Sequence, residues 1–399
     1  MQLQSLQRLK RIADIYEGAV DTGTDGNARR AAAFVAATAH QLLGRILLDG
    51  YEADQPLLEP NAIHPAIAAP LLFLVAQQNA DAREAALPLR GVRVENLLRS
   101  AVIESVHDLA AERFEDILER ATRLRRARVS EDSAWVTSAS DALYGLCWSG
   151  IVHLVSQLLG RPFPELEFLR FETPQQAFEQ VVALATDELA LDFPGAAILS
   201  TFTGPRHLAR LLRHLADDLS SAGILGLTLP GGANPQFWSR WVQHRAKTKP
   251  ILWQNHRDAL ATGILETGQS TVLVLPTGAG KTTLSELKVA ATLARGRKVL
   301  FLVPTLALVD QLRDELEDTF PKSLGDVEVS ADGDLTALIV GPELQTIEVM
   351  TPERCLALLS HAADAIEEVG LIVFDECHLL SPKGGGSEAL TRCFAYFTR

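Results

Sequence analysis

Thr271 to Thr283 reads TVLVLPTGAGKTT: an apolar, β-branched run, a Gly-rich turn, then Lys281 and Thr282 at the start of a helix. Glycines let successive backbone N–H groups converge on a polyphosphate, and the positive end of the helix dipole faces the same point. In such a loop Lys281 neutralises the β/γ-phosphates and the Thr282 hydroxyl is placed for Mg²⁺. The strict pattern asks for Gly five residues before Gly280, where this chain has Leu275. A strand–turn–helix corner with an incidental Gly-Lys-Thr is the bland alternative; the flanking grammar favours a nucleotide site. A second motif is VFDECHLL, Val373 to Leu380, in which an apolar run delivers two adjacent carboxylates. Asp375 can hold Mg²⁺ directly or through water, and Glu376 can orient or deprotonate the attacking water. Asp-Glu after an apolar run is common by itself. It gains meaning from the phosphate loop upstream.

The elements that must position these residues begin at Ile251, where the grammar becomes strand–loop–helix. Strands fit Thr271–Leu275, Lys298–Val303, Thr346–Met350 and Leu371–Phe374, with helices after the first three. Short apolar runs of this kind predict buried parallel strands in a doubly wound sheet. Ligands bind such sheets at the carboxyl ends of the strands. Residues 1–190 read instead as helices: Arg29 to Leu48, Pro65 to Gln78, Val92 to Arg128 as one long or two stacked helices, and a largely buried Ala134 to Leu159. Turn residues separate them at Asp21–Gly26, Tyr51–Pro60, Val129–Asp132 and Gly160–Pro164. Between the two grammars, Ala196 to Phe202 fits a strand and Pro205 to Leu219 a helix. A loop from Gly226 to Pro235 and the basic aromatic FWSRWVQHRAKTKP, Phe237 to Pro250, follow. The fold class is therefore α + α/β: a helical domain over 1–225, a linker over 226–250, and a P-loop domain over 251–399.

Composition bounds the partners. The net charge is −13, and residues 251–399 hold 12 Lys+Arg against 21 Asp+Glu, so no global basic field points to nucleic acid. The four cysteines, Cys147, Cys355, Cys377 and Cys393, lack ligand spacing and read as reduced thiols. The N-terminus is amphipathic and charged, unlike a signal peptide. Ala142 to Gly160 is the most membrane-like stretch, but His153, Ser149, Ser156 and Gln157 make it a buried helix. A soluble, cytoplasmic protein without membrane contact is expected.

PTGAGKTT, VPTLALVDQL (Val303 to Leu312), TPER (Thr351 to Arg354) and DECH (Asp375 to His378) occur in the order and spacing of superfamily-two helicases. They resemble motifs I, Ia, Ib and II of the DExH-box (DEAD/DEAH-type) branch. Glu286 and SADGDL, Ser330 to Leu335, look most like the processive members that load on single strands. The resemblance covers about 250–399 and implies a nucleic-acid-dependent ATPase with RecA-like domains, ATP and Mg²⁺ as ligands, and single-stranded DNA or RNA as partner. It implies phosphate contacts by Thr277, Gly278, Ala279, Gly280, Lys281, Thr282 and Thr283. Mg²⁺ would lie at Thr282 and Asp375, with catalysis by Glu376, Asp375 and Lys281. Gln254 would read adenine, His378 would couple the ATP site to a second domain, and Thr305, Thr351 and Arg354 would touch a strand's phosphates without reading bases. TPER also fits a helix start, with Thr351 as cap and Pro352 first. Leu306 stands where many relatives carry Arg, which weakens the strand contact there.

Other basic residues read as structural. Arg123, Arg125, Arg126 and Arg128 suit a solvated helix end. Arg206, Arg210, Arg213 and His214 share a helical face, and Trp238 and Trp241 suit anchors of the linker onto the ATPase domain. Residues 1–250 carry no further catalytic set and read as a helical accessory domain that docks a partner. The Ser-Ala-Thr motif, the rest of the first RecA-like domain and the second one are expected beyond Arg399. A truncated helicase is therefore anticipated, with apolar surface or sheet edge left uncovered, weak ATP binding and little hydrolysis. Such N-terminal domains suggest antiviral defence or repair. The alternatives are a catalytically silent binding module for nucleic acid or protein, and a P-loop ATPase that remodels protein.

Overall fold

Segments rich in Ala, Leu and Arg, some opened by side-chain caps such as Asn96, Ser138 and Thr173, make the first part of the chain helical. The computed structural model describes residues 2–23, 25–48, 56–92, 94, 96–130, 136–163, 171–186, 202–275, 280–325, 327–330, 344–361, 363–375 and 388–397. By its contacts the chain divides into Met1–Leu225 and Gly226–Arg399.

The first unit holds α1 (Gln2–Thr22), α2 (Gly26–Leu48), α3 (Pro65–Val75), α4 (Asn79–Ala86), α5 (Leu97–Ala110), α6 (Phe114–Ser130), α7 (Ala139–Leu159), α8 (Pro174–Ala185) and α9 (Thr203–Ala222). The Val92 to Arg128 stretch is two helices, because Glu112 takes φ 58 at the break between α5 and α6. The expected strand from Ala196 lies almost wholly outside the described residues. At the centre runs α7, started by the Ser138 side chain accepting from the Asp141 N–H and stopped by Gly160 at φ 62. Tyr144, Cys147, Trp148 and Ile151 are fully buried on it. Gly150 lets α8 approach: a Cβ there would sit 2.5 Å from the Phe178 ring. By length and composition α2 and α7 are both apolar enough to cross a membrane, yet 83% of the α7 window and 44% of the α2 window are buried within the protein. The α7 helix is thus packed as a core helix.

Charged side chains tie α1 to its neighbours. Glu17 meets His40 at 3.0 Å and also His207; Asp21 meets His214 at 2.7 Å and also Arg210. Burial alone would raise the Glu17 carboxyl, but hydrogen bonds from His207 and His40 overcome it and hold the group well below the usual carboxylate range. The basic face of α9 is therefore spent in part on the fold, through Arg210 and His214.

The second unit contains α10 (Pro235–Ala246), α11 (Gln254–Ala261), α12 (Lys281–Leu293), β1 (Lys298–Leu302), α13 (Leu306–Thr319), β2 (Val329–Ser330), β3 (Ile347–Met350), α14 (Pro352–His361), β4 (Val369–Phe374) and α15 (Glu388–Phe397). The strands form one parallel sheet in the order β2-β3-β1-β4. Leu300 and Leu302 of β1 bury one face against α14 and α15, together with Met350, Cys355, Leu358, Leu390 and Cys393. The last turn of α12 reaches β4, where a Cβ on Gly370 would meet the Thr292 side chain at 3.2 Å.

Two expectations need correction. Thr271–Leu275 is not a strand: among the described residues nothing pairs with it, and Val272 and Val274 are 78% and 87% exposed. A short apolar run becomes a strand only when a neighbour supplies a hydrogen-bond ladder, and β4 ends the described sheet on that side. The stretch read as a linker is also folded. In α10, Trp241 stacks on Phe320 at 5.9 Å between centroids, and Arg245 forms a buried ion pair with Glu286 of α12. Tryptophan burial and charge pairing make 226–250 part of the second unit.

Candidate nucleotide-binding site

The three paired strands end level. Leu302 aligns with Met350 on one side and with Phe374 on the other. The ladder continues one residue further, since Val303 N–H donates to the Met350 carbonyl and Asp375 N–H to the Leu302 carbonyl, both at 3.1 Å. Thr305, Thr351 and Asp375 therefore emerge from one carboxyl edge of the sheet, and Asp375 is exposed there.

The α12 helix brings its first turn to the same edge. Its last turn, at Thr292, packs against Gly370 near the start of β4, so the helix runs opposite to the strands. Thirteen residues span about 20 Å, roughly the length of a strand. Gly280 caps the helix at φ 79, a left-handed conformation that favours glycine. Lys281 and Thr282 are exposed on the first turn, while Thr283 and Leu284 turn inward and are buried. Exposed cation, exposed hydroxyl and helix N–H groups that have no acceptor within the helix thus share an edge with a carboxylate, a set suited to polyphosphate with Mg²⁺. Thr277, Gly278, Ala279, Glu376 and His378 lie outside the described residues. Among those described, no cluster of three or more His, Cys, Asp or Glu suits a metal held by protein alone.

Other expected site residues are engaged in the fold. Gln254 opens α11, where its amide nitrogen donates to Asp258 at 2.6 Å and its oxygen accepts from Arg257 at 2.9 Å. Thr351 caps α14 by accepting from Arg354 N–H at 3.4 Å, and Thr305 caps α13 by accepting from Leu308 N–H at 3.4 Å. The Arg354 guanidinium is only 12% exposed and lies 3.9 Å from Glu348, a buried carboxylate of β3. It faces inward, whereas Thr305 and Leu306 are exposed. Glu286, noted for its place after the phosphate loop, is taken by Arg245 and by Lys249 at 3.7 Å.

One residue at the site escaped the motifs. His256 is 3% exposed and lies against Gly280, where a Cβ would sit 2.1 Å from its Nε2. Its signal in the sequence was faint: a histidine four residues after the buried Leu252, on the inward face of a helix start.

The DEAD/DEAH box helicase family matches residues 254–398. This segment is a DEAD/DEAH box helicase domain. The chain is 35% identical over 137 residues to the ATP-dependent DNA helicase Hel308 of Thermococcus kodakarensis, covering 34% of this chain and 12% of that protein. It is 30% identical over 146 residues to the Hel308 of Methanocella arvoryzae, covering 36% and 20%. It is 32% identical over 141 residues to the ATP-dependent RNA helicase mtr4 of Schizosaccharomyces pombe, covering 35% and 12%. The chain thus spans 12–20% of the length of these relatives. A helical unit followed by a RecA-like parallel sheet is the architecture read from the sequence, and the family match begins within the second of the two.

Proposed function

We propose that the helicase domain is the ATP-binding half of a nucleic-acid helicase or translocase that couples ATP hydrolysis to movement on single-stranded DNA or RNA. The observation that carries this reading is the shared edge: Gly280, Lys281 and Thr282 at the start of α12, and Asp375 at the end of β4. Lys281 and the helix N–H groups hold the phosphates, and Thr282 and Asp375 hold the ion. Bound Mg²⁺ supplies neutralisation of the phosphate oxygens. Glu376, next to Asp375, takes the proton of the attacking water. Thr277, Gly278 and Ala279 complete the loop, Gln254 contacts adenine by giving up its bonds within α11, and His378 couples the site to a further domain. Thr305 and Thr351 face a strand's phosphates, and Arg354 joins them by leaving Glu348. The names of the relatives support a nucleic-acid substrate of either sugar. The helical unit docks a partner, in a soluble, intracellular setting such as repair or antiviral defence.

A second reading draws on the exposed Thr271–Leu275 run. Among the described residues no ladder pairs with this leading run, which favours a chain that binds nucleic acid or protein without turning ATP over. Measuring ATP hydrolysis with and without single strands, on the protein as the cell makes it, separates the two. Strand-stimulated hydrolysis is expected, with Glu376→Gln retaining ATP binding and losing turnover. Strand binding without hydrolysis in the wild type leaves the binding module. Stimulation by protein but not by strands makes it a remodeller.

A further inference from the structure

His256 adds a contact to this site that none of the sequence motifs names. Its ring is buried against Gly280, the residue that caps α12 and precedes Lys281. The approach exists only because Gly280, at φ 79, has no Cβ. His256 Nδ1 accepts a hydrogen bond from the Trp253 backbone N–H at 3.3 Å. A neutral imidazole that accepts at one nitrogen carries its proton on the other. The Trp253 bond therefore sets the tautomer with the N–H on Nε2, the atom nearest Gly280. Core packing alone asks only for an apolar ring at this depth; a histidine brings an oriented donor to the turn that presents Lys281.

We propose that His256 is a positioning residue for polyphosphate binding: held by the Trp253 N–H, its Nε2 side fixes the Gly280 turn so that Lys281 and the first N–H groups of α12 face the phosphates. The inference rests on the nucleotide-site reading above. It assigns His256 to the phosphates and not to the base. Inorganic tripolyphosphate, which has no base, tells the two apart.

The experiment titrates the full chain with MgATP and with magnesium tripolyphosphate, comparing wild type, His256→Phe and His256→Gln, with thermal unfolding in parallel. His256→Phe keeps a ring and loses both nitrogens; His256→Gln restores an acceptor and a donor. The expected result is a loss of about tenfold for both ligands in His256→Phe, largely recovered in His256→Gln, with Tm changed by no more than about 4 °C. Wild-type affinity in His256→Phe would overturn the inference while leaving the nucleotide site standing. So would a loss for MgATP with tripolyphosphate unaffected, which makes His256 a base contact. A wild type that binds neither ligand removes the nucleotide-site reading and the inference with it. If His256→Phe fails to fold, His256→Met against His256→Gln, close in volume and opposite in polarity, gives the same contrast.

Discussion

At the scale of single residues, the site is organised by what glycine permits. Gly280 allows the left-handed cap, and it allows the His256 ring to reach the turn. Gly280→Ala therefore meets two costs, about 1 kcal/mol for a side chain at positive φ and a clash with Nε2. Loss of about 2 kcal/mol or more of second-unit stability is expected, read as a lower urea midpoint for that transition, together with weaker nucleotide binding. An unchanged midpoint would mean that the turn relaxes away from His256. That Lys281 and Thr282 open a helix and Asp375 follows a strand was legible from type and spacing alone, because residues of those types close an apolar run or start a helix. Gln254 and Arg354 show where that legibility stops. The family resemblance named them, but their contacts with Asp258, Arg257 and Glu348 depend on partners that one-dimensional order does not display.

At the scale of elements, caps and buried pairs decided what periodicity left open. Side-chain caps fix the helix starts at Ser138, Thr173 and Asn234, whereas periodicity alone began the helix at Ala134 and left Gly226 to Pro235 as loop. The start of α3 at Pro65 was legible although its cap is a histidine: His64 Nδ1 accepts from the Ala66 N–H at 3.2 Å. Burial lowers the His64 imidazole below its ordinary range. A base with a lowered folded value is stabilising above its unfolded value of about 6.5, and that contribution is lost as the pH falls from there toward the folded value. Urea unfolding of the first unit at pH 7.5 and 5.5 should show a loss that His64→Asn, a cap that does not titrate, reduces. The reduction is at most about 1.4 kcal/mol per pH unit. Equal losses in both proteins would exclude His64 as a source of the acid sensitivity. In the second unit, α10 read as a linker whose tryptophans anchor it onto the ATPase domain. The stacking of Trp241 on Phe320 agrees with that anchoring, and with the Arg245–Glu286 pair it makes the segment a helix of the fold.

At the scale of the whole molecule, the division into a helical unit and a parallel-sheet unit was legible because the hydrophobic period changes with it. The place of Thr271–Leu275 was not, since a strand is a property of two segments and the sequence shows one at a time. That exposed run and the described edge at β4 make nucleotide affinity the quantity on which the account turns. The most direct measurement is equilibrium binding of MgATP to residues 1–399, wild type against Lys281→Ala. Saturable binding in the wild type, weak in absolute terms and reduced at least about tenfold by the substitution, is the predicted result. Binding that Lys281→Ala leaves untouched, or no binding by the wild type at all, would contradict the claim that the edge formed by Gly280, Lys281, Thr282 and Asp375 is a nucleotide site.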